Sequence, residues 1–180
     1  QMSELSCHAK GAAFLFPNVR TVVDIGGQDS KVIRLNDDGS VKNFVMNDKC
    51  AAGTGRFLEM MAKTMEMNLD ELSKVGLSYQ EDITISSMCT VFAESEVVSL
   101  IAQNKATDDI VHGLNKAVAA KTASLVKRVG GEEAYMMTGG VAQNQGLVKT
   151  LEERLGTKLV ISDKSQLCGA LGAALFATEM

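Results

Sequence analysis

The fold is decided by residues 21–35, which read TVVDIGGQDSKVIRL. Thr21–Gly26 is rich in β-branched and apolar residues and runs into a glycine turn, after which Ser30–Leu35 resumes the same pattern. A third run of this kind, Val41–Met46, follows a turn rich in Asn, Asp and Gly. These stretches predict three hairpin-linked strands.

The rest of the chain alternates helical and strand patterns. A helix is predicted from Ala51, because Phe57, Met61 and Met65 recur at four-residue spacing. The further predicted helices are Gln1–Phe14, Leu69–Val75, Val91–Gln103, Asp108–Val129, Asn144–Leu155 and one from Gln166; the further strands are Ala134–Thr138, Lys158–Ser162 and a brief candidate at Ile83–Ser87. This order predicts an α/β protein with a mixed five-stranded sheet flanked by helices.

Composition excludes several function classes. The 180 residues are 46% apolar, which is enough for a buried core, and the formal charge of −4 comes with no basic stripe, so nucleic acid is not an expected partner. No apolar run approaches the ~18 residues of a membrane-spanning helix, and a signal-peptide pattern is absent, so we expect a cytoplasmic protein without a membrane partner. Because the chain opens at Gln1 within a helical pattern and without an N-cap segment, we also expect it to be part of a longer protein.

Two glycine loops are candidate ligand sites. In Asp24-Ile25-Gly26-Gly27-Gln28-Asp29, backbone amides can approach a phosphate that a side chain at 26 or 27 would block, and Asp24 can hold magnesium through water. The loop Gly139-Gly140-Val141-Ala142-Gln143 follows a buried strand and opens a helix, where ligands commonly bind in α/β sheets. Taken singly, the loops equally suit a tight hairpin and a closely packed helix start. A P-loop is excluded, because no G-x-x-x-x-G-K-[ST] run exists.

The four cysteines form no C-x-x-C pair, and a disulfide framework is not expected. Cys50 and Cys89 each stand immediately before a predicted helix, where the dipole favours the metal-binding thiolate. An iron–sulfur cube needs four thiolates, which a two-fold dimer contributing two from each chain supplies. The alternative is that they are small buried hydrophobes, which is how we interpret Cys7 and Cys168.

Together the two loops resemble the second phosphate loop and the adenosine loop of the actin, sugar-kinase and heat-shock-chaperone ATPase superfamily. The small-residue stripes Gly11-Ala12-Ala13 and Gly169–Ala174 resemble its crossing hinge helices. The stretches NDKCAAGTGRFL (47–58) and CTVFAESE (89–96) resemble the activator component of the 2-hydroxyglutaryl-CoA dehydratase family, relatives of the ATPase subunits of benzoyl-CoA reductase. This resemblance runs from about Glu4 to the end of the chain.

The resemblance implies an actin-like ATPase that works as a homodimer. One 4Fe-4S cluster shared between subunits would be held by Cys50 and Cys89 of each chain, and an electron would pass at the expense of ATP to a partner 2-hydroxyacyl-CoA dehydratase. By motif, the residues expected to face phosphate and Mg²⁺ are Asp24, Gly26, Gly27 and Gln28, and those expected to face adenosine are Gly139, Gly140 and Gln143. Glu4 matches a hinge-helix acid that orients the attacking water; the alternative is an ordinary exposed glutamate.

The sequence departs from the family pattern in one respect. The first phosphate loop and its own strand meander are missing, so residues 1–180 are expected to be the C-terminal part of the ATPase domain. Half of the electrostatic clamp on the phosphates is then absent, and we expect this chain alone not to hydrolyse ATP at a normal rate.

Other functions stay open on sequence grounds. They are an ATPase subunit of a benzoyl-CoA-reductase-type enzyme, a sugar or acyl kinase, and a chaperone-like nucleotide-binding module without a cluster. His8 and His112 lack partners at metal-ligand spacing and are interpreted as structural or solvated.

Overall fold

The predicted meander forms the centre of the molecule. The structure is a computed structural model that describes residues 1–86 and 89–179. In it, β1 (Thr21–Ile25), β2 (Ser30–Leu35) and β3 (Val41–Asn47) pair in antiparallel fashion, with Val23 opposite Val32. The three predicted strands are therefore confirmed, each to within one residue.

Two later strands complete a mixed five-stranded sheet of order β3-β2-β1-β4-β5. β4 (Tyr135–Thr138) pairs in parallel with β1, and β5 (Leu159–Val160) pairs in parallel with β4. β1 is thus the central strand, which explains why all five of its residues are buried. The expected fold class is confirmed.

The helices cover both faces of this sheet. Alternate residues of a strand point to opposite faces, so Val22 joins the core beneath α1 (Glu4–Leu15) and α7 (Cys168–Thr178), whereas Val23 joins the larger core on the other face. The helices that contribute to the larger core are α2 (Gly55–Thr64), α3 (Leu69–Lys74), α4 (Thr90–Ala102), α5 (Thr107–Val129) and α6 (Gln145–Leu155).

Helices α1 and α7 cross through glycine, as the small-residue stripes predict. A Cβ atom on Gly11 would overlap the carbonyl oxygen of Cys168, and one on Gly172 would overlap the carbonyl oxygen of Cys7. The two backbones touch where they cross, and only glycine fits at either position.

Three sequence predictions need correction. α1 begins at Glu4, not Gln1, and has an N-cap, because the Ser3 hydroxyl accepts a hydrogen bond from the Ser6 amide at 3.1 Å. The helix expected from Ala51 begins only at Gly55. The strand expected at 83–87 is also wrong for residues 83–86, which are irregular, while Ser87 lies outside the described residues.

The Ile83 segment alternates like a strand but finds no strand beside it among the described residues. Ile83 and Ile85 bury their side chains in the larger core. The ammonium of Lys116, on α5, contacts Asp82 and lies 3.4 Å from the Ile83 carbonyl oxygen, so a helix side chain holds this backbone. The apolar alternation therefore reflects docking on α5.

Candidate nucleotide cleft and cysteine segments

A cleft of about 540 Å³ opens at the carboxyl ends of β1 and β4, where ligands commonly bind in α/β sheets. Its lining includes seven of the predicted site residues, which are Glu4, Asp24, Gly26, Gly27, Gly139, Gly140 and Gln143. Gln28 does not line the cleft; its side chain is exposed on the β1–β2 turn. The two candidate loops thus meet at one cavity.

The first loop is a hairpin held against α2. The Gly26 amide donates to the Asp29 carbonyl at 3.0 Å, which closes the turn. The carbonyl oxygens of Gly26 and Gly27 accept hydrogen bonds from the Gly55 and Arg56 amides at 2.8 and 2.7 Å. A Cβ atom on Gly27 would meet nothing within 4 Å, so this residue presents bare backbone in the lining of the cleft.

The second loop reaches the cleft because Gly139 adopts a positive φ of 84°. A Cβ atom here would overlap the Ile25 carbonyl group, so only glycine lets β4 turn beside the end of β1. Gly140–Gln143 forms one 3-10 turn, after which Asn144 caps α6 by accepting a hydrogen bond from the Leu147 amide at 2.9 Å.

Lys31 organises the acidic part of this cleft and was not predicted from the sequence. Its side chain is only 2% exposed, and its Nζ lies 2.8 Å from Glu4 Oε1, 3.2 Å from Asp24 Oδ2 and 3.0 Å from Asp29 Oδ2. One ammonium therefore ties together carboxylates from α1, β1 and the β1–β2 turn. Thr138 Oγ1 holds the other oxygen of Asp24 by donating to Oδ1 at 2.7 Å.

These contacts fix the charge states of the cluster. Burial alone would lower the pKa of Lys31, but hydrogen bonds to Glu4 and Asp29 and the charge of Asp24 outweigh it and raise this pKa above its ordinary value. The hydrogen bond from Lys31 lowers the pKa of Glu4 despite some desolvation. At neutral pH the lysine is a cation and Glu4 is an anion.

Two more side chains in the cleft were not predicted as site residues. His8 Nε2 lies 3.6 Å from Glu4 Oε1 and its Nδ1 lies 3.5 Å from Asp24 Oδ1, so the interpretation of His8 as merely structural or solvated is incomplete. Gln166 Oε1 accepts a hydrogen bond from Gln143 Nε2 at 3.3 Å. The i,i+4 spacing of Glu4 and His8 on α1 was the available sequence signal for the histidine.

The two candidate cluster cysteines are exposed and lie outside the cleft lining. Cys89 is the N-cap residue of α4, as predicted. Cys50 is not at a helix start, because α2 begins at Gly55 and Thr54 occupies its N-cap position. The Cys50 loop is instead shaped by Asn47, whose amide donates to the carbonyl oxygens of Cys50 at 2.9 Å and Ala52 at 3.0 Å.

The remaining cysteines belong to the hinge helices. Cys168 is fully buried, and burial, with a smaller effect of Asp24, raises its thiol pKa to about 12. Cys7 is half-buried on α1. Within residues 1–86 and 89–179, no group of three or more His, Cys, Asp or Glu side chains is arranged to hold a metal ion. Over the same residues, no helix combines the length and apolar character needed to cross a membrane.

The sheet order, the glycine hinge crossing and the two-loop cleft define one half of an actin-like ATPase. The ethanolamine utilization protein EutJ from Carboxydothermus hydrogenoformans shares this fold, with a TM-score of 0.57 at 17% identity over 94% of this chain and 54% of that one. The sequence profile of the BadF/BadG/BcrA/BcrD ATPase family matches residues 1–177, and the chain belongs to that family.

The chain is similar to several dehydratase activators. The 2-hydroxyisocaproyl-CoA dehydratase activator of Clostridioides difficile is 51% identical over 99% of this chain and 67% of its own length. The (R)-2-hydroxyglutaryl-CoA dehydratase activating ATPase of Acidaminococcus fermentans is 52% identical over 98% and 68%. A benzoyl-CoA reductase component of Thauera aromatica is 33% identical over 96% and 63%.

A solved structure extends the comparison to three dimensions. The activator of the 2-hydroxyisocaproyl-CoA dehydratase from Clostridium difficile, with bound ADPNP, superposes with a TM-score of 0.96 at 51% identity and covers 99% of this chain and 67% of that one. The chain spans about two thirds of the length of these activators.

Proposed function

We propose that this protein is an ATP-dependent reductive activator, which passes a low-potential electron through an iron–sulfur cluster to a 2-hydroxyacyl-CoA dehydratase. The observation that carries the proposal is the direct hydrogen bonding between the phosphate hairpin and α2, the helix that follows the Cys50 loop. The identity of about one half to dehydratase activators supports the same function.

In this proposal the cleft binds Mg·ATP. The phosphates lie against Gly26 and Gly27, with Asp24 on the magnesium ion through water. The adenosine lies against the loop of Gly139, Gly140 and Gln143, beside Gln166. A close relative crystallised with ADPNP supports a nucleotide in this cleft.

Glu4 orients the water that attacks the terminal phosphate. Its carboxylate reaches the cleft from α1 and is held by Lys31 Nζ at 2.8 Å. The lowered pKa keeps it ionised, so it accepts a hydrogen bond from water but is a weak base. Phosphoryl transfer depends mainly on positioning and charge, which suits such a group.

Cys50 and Cys89 are the proposed cluster ligands. Their thiols are exposed and suited to soft-metal binding, and each chain offers two of the four that a 4Fe-4S cluster needs. A bound cluster supplies the one-electron chemistry. The two cysteine segments are joined through the pair of helices that follow them, since Thr64 on α2 donates to Glu94 on α4 at 3.1 Å.

A second copy of the chain supplies the other two thiols. The surface beside Cys89 is suited to this contact, because α4 exposes the apolar side chains of Val91, Phe92 and Val98 next to the cysteine. An exposed apolar stripe on a helix is typical of a protein interface. A two-fold axis near this helix brings both cysteine pairs together.

Coupling follows from the contacts of α2. A nucleotide that moves the Gly26-Gly27 backbone also moves the amides of Gly55 and Arg56, which are bonded to it. Residues 50–55 then carry the displacement to Cys50. Nucleotide state and the cluster environment thereby influence each other, as linkage requires.

The partner has two candidate identities. The activators of 2-hydroxyacyl-CoA dehydratases are the more similar relatives, so a dehydratase is the proposed partner. The 33% identity to a component of benzoyl-CoA reductase favours a reductase as the second candidate.

Anaerobic reconstitution with iron and sulfide tests the proposal. We expect visible charge-transfer absorption and about four irons per dimer in the wild type, lost in Cys50→Ala and Cys89→Ala but kept in the control Cys7→Ala. A folded wild-type protein that stays colourless would contradict the cluster and favour a kinase-like or chaperone-like nucleotide-binding module. Loss of colour in Cys7→Ala alone would show that the ligands are misassigned.

A further inference from the structure

The cleft proposed to bind a polyanion is itself acidic. Its lining carries five carboxylates, which belong to Glu4, Asp24, Asp29, Glu59 and Asp70. Lys31 is the only lysine or arginine among the described residues of the lining. A nucleotide therefore enters a site whose fixed charges mostly repel its phosphates.

Three of these carboxylates converge on Lys31. Its ammonium has three hydrogens, and Glu4, Asp24 and Asp29 each offer one oxygen between 2.8 and 3.2 Å from Nζ. Without a cation among them, three carboxylates this close would move apart or take up protons. Their present arrangement depends on Lys31.

The lysine is also held in place. It is 2% exposed on β2, which is paired on both sides, by β1 and by β3. Asp24 is fixed in turn by the hydroxyl of Thr138. The positive charge therefore cannot swing away when the cleft opens to solvent, unlike that of a surface lysine.

We propose that Lys31 is the positioning residue of the phosphate end of the cleft: it holds the three carboxylates together and offsets one of their charges, so that a nucleotide's phosphate chain and its divalent cation can enter. This inference rests on the proposed nucleotide function. It assigns Lys31 no contact with the reacting atoms.

Calorimetric titration with ADP, in Mg²⁺ and separately in EDTA, tests this role. We expect Lys31→Met to weaken ADP binding in EDTA by about tenfold or more, because a fixed charge within a few ångströms of the phosphates is lost. The loss should be smaller in saturating Mg²⁺, since the divalent cation replaces the missing positive charge.

Two further variants separate charge from scaffolding. Lys31→Met combined with Asp29→Asn restores the original net charge and should recover most of the affinity in EDTA. Asp29→Asn alone keeps Lys31 and removes a repelling carboxylate, so it should tighten ADP binding in EDTA. This variant changes a half-buried side chain, and it remains informative if Lys31→Met fails to fold.

Lys116→Met is the matched control, because Lys116 is ion-paired with Asp82 outside the cleft lining and should not affect ADP affinity. Equal losses for Lys31→Met in Mg²⁺ and EDTA without recovery in the double variant, or no change on Lys31→Met or Asp29→Asn, would overturn the role of Lys31 alone. A folded wild-type protein that binds no ADP would overturn the proposed nucleotide site itself.

Discussion

Gly27 and Gly26 stand side by side, yet a side chain at each would meet different surroundings. A Cβ atom on Gly26 would lie 3.0 Å from Asp29 Oδ1, whereas one on Gly27 would meet nothing within 4 Å. The protein itself therefore does not require glycine at position 27 for packing. The space beside Gly27 is where the proposed phosphate would lie.

Gly27→Ala should consequently separate binding from stability. We expect the free energy of unfolding to change by less than about 0.5 kcal/mol, as for other surface substitutions, while ADP affinity falls at least about tenfold. Urea unfolding and calorimetry measure the two quantities. Unchanged ADP affinity would remove Gly27 from the phosphate site.

Glu4 gives a second prediction, on the dependence of stability on pH. Since the Lys31 hydrogen bond lowers the pKa of Glu4 below its ordinary value of 4.5, the ion pair stabilises the fold above that pH. This stabilisation is lost as the pH falls through the lowered pKa of the folded state. Urea midpoints should therefore show wild type and Glu4→Gln converging as the pH falls from neutral to below that lowered pKa, and a constant gap would contradict the assignment.

The sequence predicted the backbone of this site better than its side chains. Gly139 and Asp24 could be predicted because glycine and strand-end acids have local signatures. Lys31 was missed because its partners come from other elements. Its signal was the strand alternation that puts it on the same face as the buried Ile33 and Leu35.

At the scale of elements, the crossing of α1 and α7 is a tightly fitted contact. Gly172→Ala should destabilise the protein by about 2 kcal/mol, because the new methyl group overlaps the Cys7 carbonyl and the helices must separate. Helix propensity alone would give the opposite sign, since alanine is favoured over glycine by about 1 kcal/mol.

Chemical denaturation measures this effect against Ala173→Val, a control at the neighbouring exposed position of α7. That control should cost less than about 1 kcal/mol, which is the range of helix propensities. A stabilised Gly172→Ala would mean that the two helices do not cross in contact.

Element boundaries show where sequence patterns fail. The apolar spacing of Phe57 and Met61 located α2 correctly, but it gave no information on where the helix begins. Gly53 adopts a positive φ of 87°, and the Asn47 side chain binds two carbonyls of the preceding loop. These tertiary contacts keep residues 51–54 out of the helix and leave Cys50 on a loop.

For the whole molecule, the proposed dimer makes a prediction about the exposed face of α4. Phe92 is 66% exposed beside Cys89, so Phe92→Glu should shift the protein towards monomer by placing a charge in an apolar interface. Sedimentation velocity measures the change. Phe14→Glu, at a phenylalanine that is 61% exposed on α1, is the matched control and should leave association unchanged.

The opposite pattern, with association lost in Phe14→Glu and kept in Phe92→Glu, would move the interface to the hinge helices. Iron content measured on the same variants connects the two levels. Because one chain offers two exposed thiols, Phe92→Glu should also lower iron retention after reconstitution.

The hydrogen bond from Thr138 to Asp24 joins residues 114 positions apart. β4 must emerge from the ribosome before the cleft beside β1 can close, and contacts of such long sequence separation form late in folding. Cys50 and Cys89 precede β4 in the chain, so their thiols meet cellular iron and oxidants before a nucleotide has anywhere to bind. During synthesis, thiol chemistry therefore comes ahead of nucleotide binding.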